Sequence, residues 1–277
     1  MKIAYGTYGM PGMPMLTALP RLRKIGYEGV ELCVGERYTM APGKLSAADR
    51  KELRKCLGDL GLELPALMIL SRIMVTNPDE YRKELDAFHA AGELAKDLIL
   101  GAAPPVLTSV LGGGNQTWEK DYNQIVARVA EWSEAAAKHG TKFALEPHVG
   151  GLLDRPERAL AILKAVNSPA LGLNFDISHF AIQGMPMEPT VAALAPHAIH
   201  THVKDGRMEN GKVKFLLPGE GGFDYPAYFR DMAKSGWKGC ITVEVSGMIF
   251  NAPGYDPWAA AEFSWKTLSA ARKAAGV

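Results

Sequence analysis

One pattern constrains this chain more than any other: a short apolar run followed by a longer amphipathic stretch, eight times over. A short continuous apolar run suits a strand buried on both faces, and an amphipathic stretch suits a helix laid over it. The repeat therefore predicts parallel strands joined by crossover helices. The expected strands are KIAYGTYG from residue 2, GVELCV from 29, ELPALMIL from 63, DLILGA from 97, KFALEPH from 142, LGLNFDISH from 171, AIHTHVKD from 198 and GCITVEVSG from 239. The expected helices span 14–26, 46–61, 78–95, 118–139, 156–166, 188–195, 224–235 and 257–274. Ser46, Asn77 before Pro78, and Asp154 ahead of Pro156 act as start signals. Gly61, Gly140 and Gly236 act as stops.

Eight such units in about 250 residues are what a closed (β/α)8, or TIM, barrel requires. A doubly wound open sheet is the competing arrangement. No linker-like tract interrupts the series, so residues 1–277 read as a single α/β domain. The longest irregular pieces are AAPPVLTSVLGGGNQTW after the fourth expected strand and GRMENGKVKFLLPGEGG after the seventh. Asn210-Gly211 in the second of these signals a hairpin turn.

Composition narrows the function. The 31 Lys and Arg nearly balance the 30 Asp and Glu, so no overall basic field marks a nucleic-acid or anionic-membrane surface. The three cysteines, Cys33, Cys56 and Cys240, lack metal or redox spacing and point to a reducing compartment. No run approaches the roughly 20 apolar residues of a membrane helix, and MKIAYGTYGMPGM lacks a signal peptide's hydrophobic centre. The expectation is a cytoplasmic protein without membrane or nucleic-acid partners.

In a (β/α)8 barrel, catalytic groups sit at the C-terminal ends of the strands. Polar residues interrupt the apolar runs there: Glu31 in GVELCV, Glu146 and His148 in FALEPH, Asp176 and His179 in LNFDISH, His202 in IHTHVKD and Glu244 in ITVEVSG. A charged carboxylate buried unpaired in ITVEV is costly, and a bound divalent cation removes that cost. Glu146, Asp176, His202 and Glu244 together offer three oxygen-donor residues and one nitrogen donor, a set suited to Mn²⁺, Mg²⁺, Co²⁺ or Zn²⁺. His200 shares a face with His202 and is an alternative ligand or a layer residue; His202 is preferred because it lies nearer the strand end. Lys204 is expected to alternate away from His202 into a rim or helix-side salt bridge. His139 is expected to cap a helix C-terminus as a cation. Trp118 stands where it could close over a ligand at the strand ends, and Met248-Ile249-Phe250 either covers the pocket or joins a subunit interface.

The ordered series EPH at 146–148, DISH at 176–179, HVKD at 202–205, PGEGGFDY at 218–225 and TVEV at 242–245, with GYEGVEL at 26–32, resembles the xylose-isomerase-like sugar isomerase/epimerase superfamily over almost the whole chain. The resemblance implies a metal-dependent TIM barrel with Glu146, Asp176, His202 and Glu244 as ligands and Mn²⁺ as a frequent occupant. It implies an isomerase or epimerase acting on a small carbohydrate or polyol through an enediolate, with Glu146 and Glu244 moving the proton. His179 would contact substrate oxygens or stand behind the metal, and Arg207, Glu31 and Glu220 join the substrate-binding set. A glutamate that ketose 3-epimerases carry six residues beyond the first ligand is Leu152 here, so substrate binding must differ.

His148, on Glu146's face, opens a rival within the fold, a lyase that removes a proton beside a ketone and expels a β-substituent. Inosose dehydratases, dehydroshikimate dehydratases and C-glycoside deglycosidase subunits, the last with a small partner chain, share the barrel. Apurinic endonucleases of the same superfamily need further histidines and a D-x-H pair that this chain lacks, and a binding protein without catalysis is disfavoured by the intact ligand series. No phosphate-binding glycine loop follows the seventh or eighth strand, which favours an unphosphorylated substrate.

Overall fold

The computed structural model describes residues 1–112 and 114–277. Seven parallel strands follow in turn: β1 (Lys2–Gly6), β2 (Gly29–Cys33), β3 (Ala66–Met68), β4 (Val106–Val110), β5 (Phe143–Glu146), β6 (Leu171–Asp176) and β7 (Ala198–Val203). A small antiparallel hairpin comes next, β8 (Asp205–Glu209) and β9 (Lys212–Leu216), and then β10 (Cys240–Val243) pairs with both β7 and β1 to close an eight-stranded barrel. The helices are α1 (Met15–Ile25), α2 (Ala47–Asp59), α3 (Pro78–Asp97), α4 (Trp118–Lys138), α5 (Pro156–Val166), α6 (Ser178–Ala181), α7 (Met187–Leu194), α8 (Tyr225–Lys234), α9 (Gly247–Phe250) and α10 (Pro257–Ala275). The (β/α)8 expectation holds, and the open sheet falls away because no edge is left unpaired in the ring. Among the described residues no helix is long and apolar enough to cross a membrane.

Local signals explain most element ends. Ser46 and Asp49 form a reciprocal capping box at α2, and Asn77 Oδ1 accepts from the Asp79 and Glu80 N–H groups at α3. Asp154 does not cap α5; Arg155 occupies that position without a side-chain bond, while Asp154 pairs with Arg155 and Arg158. Asn210 and Gly211, with φ of 51° and 74°, make the left-handed pair that a tight hairpin between β8 and β9 requires.

The fourth strand is a correction. DLILGA is not a strand: α3 runs to Asp97, Leu98 caps it, and Leu100 is exposed. Leu94 and Leu98 are one helical turn apart, so Leu98 continues the buried face of α3. The real β4 is VLTSV, inside the segment expected to be a loop, after Pro104-Pro105. Gly113, also in that segment, lies outside the described residues.

The main core lies between strands and helices, where Trp132 of α4 packs 4.5 Å from Phe88 of α3, and Phe88 5.6 Å from Phe143 of β5. The barrel interior is polar by comparison. In the β6–β7 ladder the register shifts by one residue, from Leu173 beside Ala198 to Asn174 beside His200 and Asp176 beside His202.

Candidate active site

Glu146 ends β5, Asp176 ends β6, His202 is next to last in β7, and Glu244 directly follows β10. Their side chains converge: one ligand atom from each lies within 4.8 Å of the other three, and all four residues are buried. That spread is compact enough for all four to reach one divalent cation with only small adjustments. Charge points the same way. Glu31, Glu146, Asp176 and Glu244 bury four carboxylates against the Lys204 ammonium and the His202 imidazole; even with both of these cationic a negative surplus remains, which a divalent cation would offset. The donors fit such an ion chemically.

His202 is held from behind. Its Nε2–H donates to Glu31 Oε2 at 2.8 Å, which leaves Nδ1 facing the centre, 3.4 Å from Glu146 Oε1 and 3.3 Å from Glu244 Oε2. A carboxylate on the far nitrogen of an imidazole fixes its tautomer and raises its basicity as a ligand. Glu31 is therefore not among the substrate-facing groups. It is fully buried beneath His202, and its other oxygen lies 3.1 Å from His200 Nε2. His200 thus turns towards Glu31, one layer below the four donors. The Asn174 amide, 3.0 Å from His202 Nδ1, completes this inner layer; a polar residue two before Asp176 was the available signal.

The electrostatics follow from these contacts. Burial pushes the Glu31 carboxyl up, but the His202 and His200 imidazoles outweigh it and bring the pKa to about 2. Burial likewise opposes ionisation of Glu146, Asp176 and Glu244, yet each is held below the usual carboxylate range, Glu146 by His202 and His179, the other two chiefly by the Lys204 ammonium. Burial disfavours the His202 cation, and Glu31 and Glu146 nevertheless raise its pKa well above that of free imidazole.

Lys204 is the second correction. It does not reach the rim: its Nζ is buried, donates to Asp176 Oδ2 at 2.5 Å and to Glu244 Oε2, and lies 3.2 Å from His179 Nε2. Residues two apart in extended chain share a face, so His200, His202 and Lys204 all point inward. His179 Nε2 lies 3.4 Å from Glu146 Oε1, at the edge of the cluster. Its ring packs on His148 at 3.9 Å between centroids. His148 Nδ1 is 2.8 Å from the Val149 carbonyl, so Nδ1 carries the proton and Nε2 the lone pair. Burial lowers its pKa to about 4. Phe215 of β9, which sequence reasoning missed, roofs this corner, 5.1 Å from Lys204 Nζ and 5.6 Å from the His179 ring.

Two expected substrate contacts lie elsewhere. Arg207 on β8 is half-exposed and pairs with Glu209. Glu220 is exposed and accepts from the Leu217 N–H, closing the PGEGG turn, while Asp205 accepts from the Gly219 and Gly221 N–H groups. His139 does occupy the C-cap of α4, but burial lowers its pKa and it bonds His89, so it is not a charged cap. Phe250 packs edge-on against Tyr8 at 4.9 Å, while Met248 beside it is 58% exposed. A cleft of about 720 Å³ opens from Glu146, His148 and Glu244 towards Trp118 and Arg158.

Comparison with known proteins agrees with this architecture. The chain is 26% identical over 261 residues to the rhizopine catabolism protein MocC of Rhizobium meliloti, covering 83% of this chain and 74% of that protein. It is 24% identical to fructoselysine 3-epimerase of Escherichia coli O157:H7, covering 91% and 93%. It is 22% identical to inosose dehydratase of Clostridium botulinum (strain Alaska E43 / Type E3), covering 82% and 80%. The solved structure of IOLI protein with a bound zinc atom superposes with a TM-score of 0.77 at 19% identity, covering 100% and 98%. Among these relatives are an epimerase and a dehydratase, and the buried donors of this chain form a cluster that could hold a metal ion. The profile of the xylose isomerase-like TIM barrel family matches residues 19–265, and this chain belongs to that family.

Proposed function

We propose that this protein is a divalent-metal-dependent isomerase or epimerase that moves a carbon-bound proton beside a carbonyl of a sugar or polyol. Glu146, Asp176, His202 and Glu244 hold the ion, which when bound supplies charge to stabilise the enediolate oxygens. The observation that carries the reading is the convergence of four buried donors from four strands at the C-terminal mouth. Glu146 and Glu244 come from strands three positions apart around the ring and so reach the cavity from different sides. One carboxylate removes the proton and the other returns it to the opposite face. Lys204 and His179 stand beside them as donors to substrate oxygens. The relatives, an epimerase and a dehydratase, support the class without choosing the reaction.

His148 favours a second reading, a lyase on a keto-sugar or keto-inositol. Its Nε2 lone pair lines the cavity and is free to take up the substrate's carbon-bound proton, which the imidazolium so formed can pass to a leaving group. One experiment separates them. Protein loaded with Mn²⁺, and separately Zn²⁺, is incubated with ketoses, keto-inositols and 3-keto-glycosides in D₂O. Deuterium at carbon with epimer formation supports the first reading, an elimination product the second, and absence of exchange with all three classes overturns both.

A further inference from the structure

The cleft is built for more than one ring. Polar side chains gather at its two ends, Glu146, His148 and Glu244 at the inner one and Gln116, Thr117, Glu119 and Arg158 around Trp118, and the wall between them is apolar. From the inner end it runs over the ends of β3 and β4, lined by Met68, Leu70, Met74, Val110, Leu111 and, from the loop after β5, Leu152. At about 720 Å³ it falls in the range of drug-sized ligands. A free sugar or polyol carries a hydroxyl on nearly every carbon, and laying it along this wall would strip those hydroxyls of water without giving them partners. Leu70 is 38% exposed, one of few large apolar side chains left open among the described residues, and it stands in this wall. Two methionines, whose thioethers favour aromatic rings, line the same stretch. At the outer end the Trp118 indole, with the Arg158 guanidinium 5.2 Å from its ring, offers a flat surface.

We infer that the substrate is a sugar or polyol bearing a bulky apolar group of aryl size, with the sugar at Glu146, His148 and Glu244 and the aryl group on the β3–β4 wall towards Trp118. This rests on the proposed reaction for the sugar end and adds the occupant of the rest of the cleft. Leu152, where ketose 3-epimerases are expected to place a hydroxyl-binding glutamate, becomes part of the apolar lining.

The test compares phenyl β-D-glucopyranoside with methyl β-D-glucopyranoside, which share the sugar and differ in the apolar group. Calorimetry on the metal-loaded protein is expected to show the phenyl compound binding at least about tenfold more tightly, equivalent to about 1.4 kcal/mol. Trp118 fluorescence is expected to change with the phenyl compound alone, and the change is lost in Trp118→Phe. The phenyl preference is expected to fall to less than about threefold in Leu70→Gln and in Leu152→Gln, each checked for wild-type melting. Equal affinity of the two probes, or a preference kept in both variants, overturns the inference. Failure of both probes to bind also overturns it, and deuterium exchange into unsubstituted ketoses then decides whether the proposed reaction survives without it.

Discussion

The Lys204 ammonium lies 2.5 Å from the Asp176 carboxylate, inside the donor cluster. It stabilises Asp176 and Glu244 as anions when no ion is bound, and an incoming cation must share these oxygens with it. Truncating one partner of a buried pair costs about 3 to 5 kcal/mol because the remaining charge is stranded. Lys204→Met is therefore expected to lower the stability of the metal-free protein by about that amount in urea unfolding. Added Mn²⁺ should raise its melting temperature by more than it raises that of the wild type, by mass action on a hungrier site. Equal metal-induced shifts would show that the ammonium and the ion do not compete.

Glu31 stands one hydrogen bond behind His202, a proposed ligand. Glu31→Gln keeps the shape but removes the negative charge behind His202, and divalent-ion affinity is expected to drop about ten- to a hundredfold by calorimetry. His202→Ala should abolish binding and His200→Ala should retain it. The opposite ranking of the two histidine variants would move the ligand role to His200.

His148 gives a pH signature. Burial holds its pKa at about 4, below the roughly 6.5 of an unfolded histidine. Between those values the unfolded chain binds more protons than the folded one, so stability rises as pH climbs from about 4 to about 6.5 and is lost as pH falls through that window. The effect is at most roughly 3 kcal/mol, and His148→Phe should flatten the slope. NMR titration of the His148 ring is expected to give a midpoint near 4; a midpoint near 6.5 would mean the ring is solvated.

Gly92 on α3 leaves room for an imidazole. A Cβ there would stand 2.4 Å from His139 Cδ2, too close for any rotamer to relieve without moving the ring. Gly92→Ala should destabilise by about 1 to 3 kcal/mol through overpacking, despite alanine's better helix propensity. The double variant with His139→Ala should recover much of the loss in thermal melts.

Strand ends were legible because a carboxylate or imidazole closing an apolar run is conspicuous, and Glu146, Asp176, His202 and Glu244 all announced themselves that way. β4 was not, because Leu98 to Leu100 is as apolar as a strand while belonging to the end of a helix, and VLTSV is diluted by two hydroxyls. Lys204 was hidden by its charge, which suggests a rim, although its parity with His202 places it inside. Glu31 was conspicuous in GVELCV, but its place behind His202 and that of Phe215 beside Lys204 depend on contacts 171 and 11 residues away in sequence, and local pattern carries neither.

The one-residue shift between β6 and β7 sets the phase of the whole site. Before it, Leu173 lies beside Ala198; after it, Asn174 and Asp176 lie level with His200 and His202. Neighbours in a sheet share a face, so without the extra residue at Ile199 the inward carboxylate of β6 would stand beside outward residues of β7. His200, His202 and Lys204 would then press three ionisable groups into the apolar helix layer, an arrangement the barrel could not close over. The side chains of the proposed site thus also proofread assembly: a chain aligned wrongly at this seam would lose its donor cluster and its fold together.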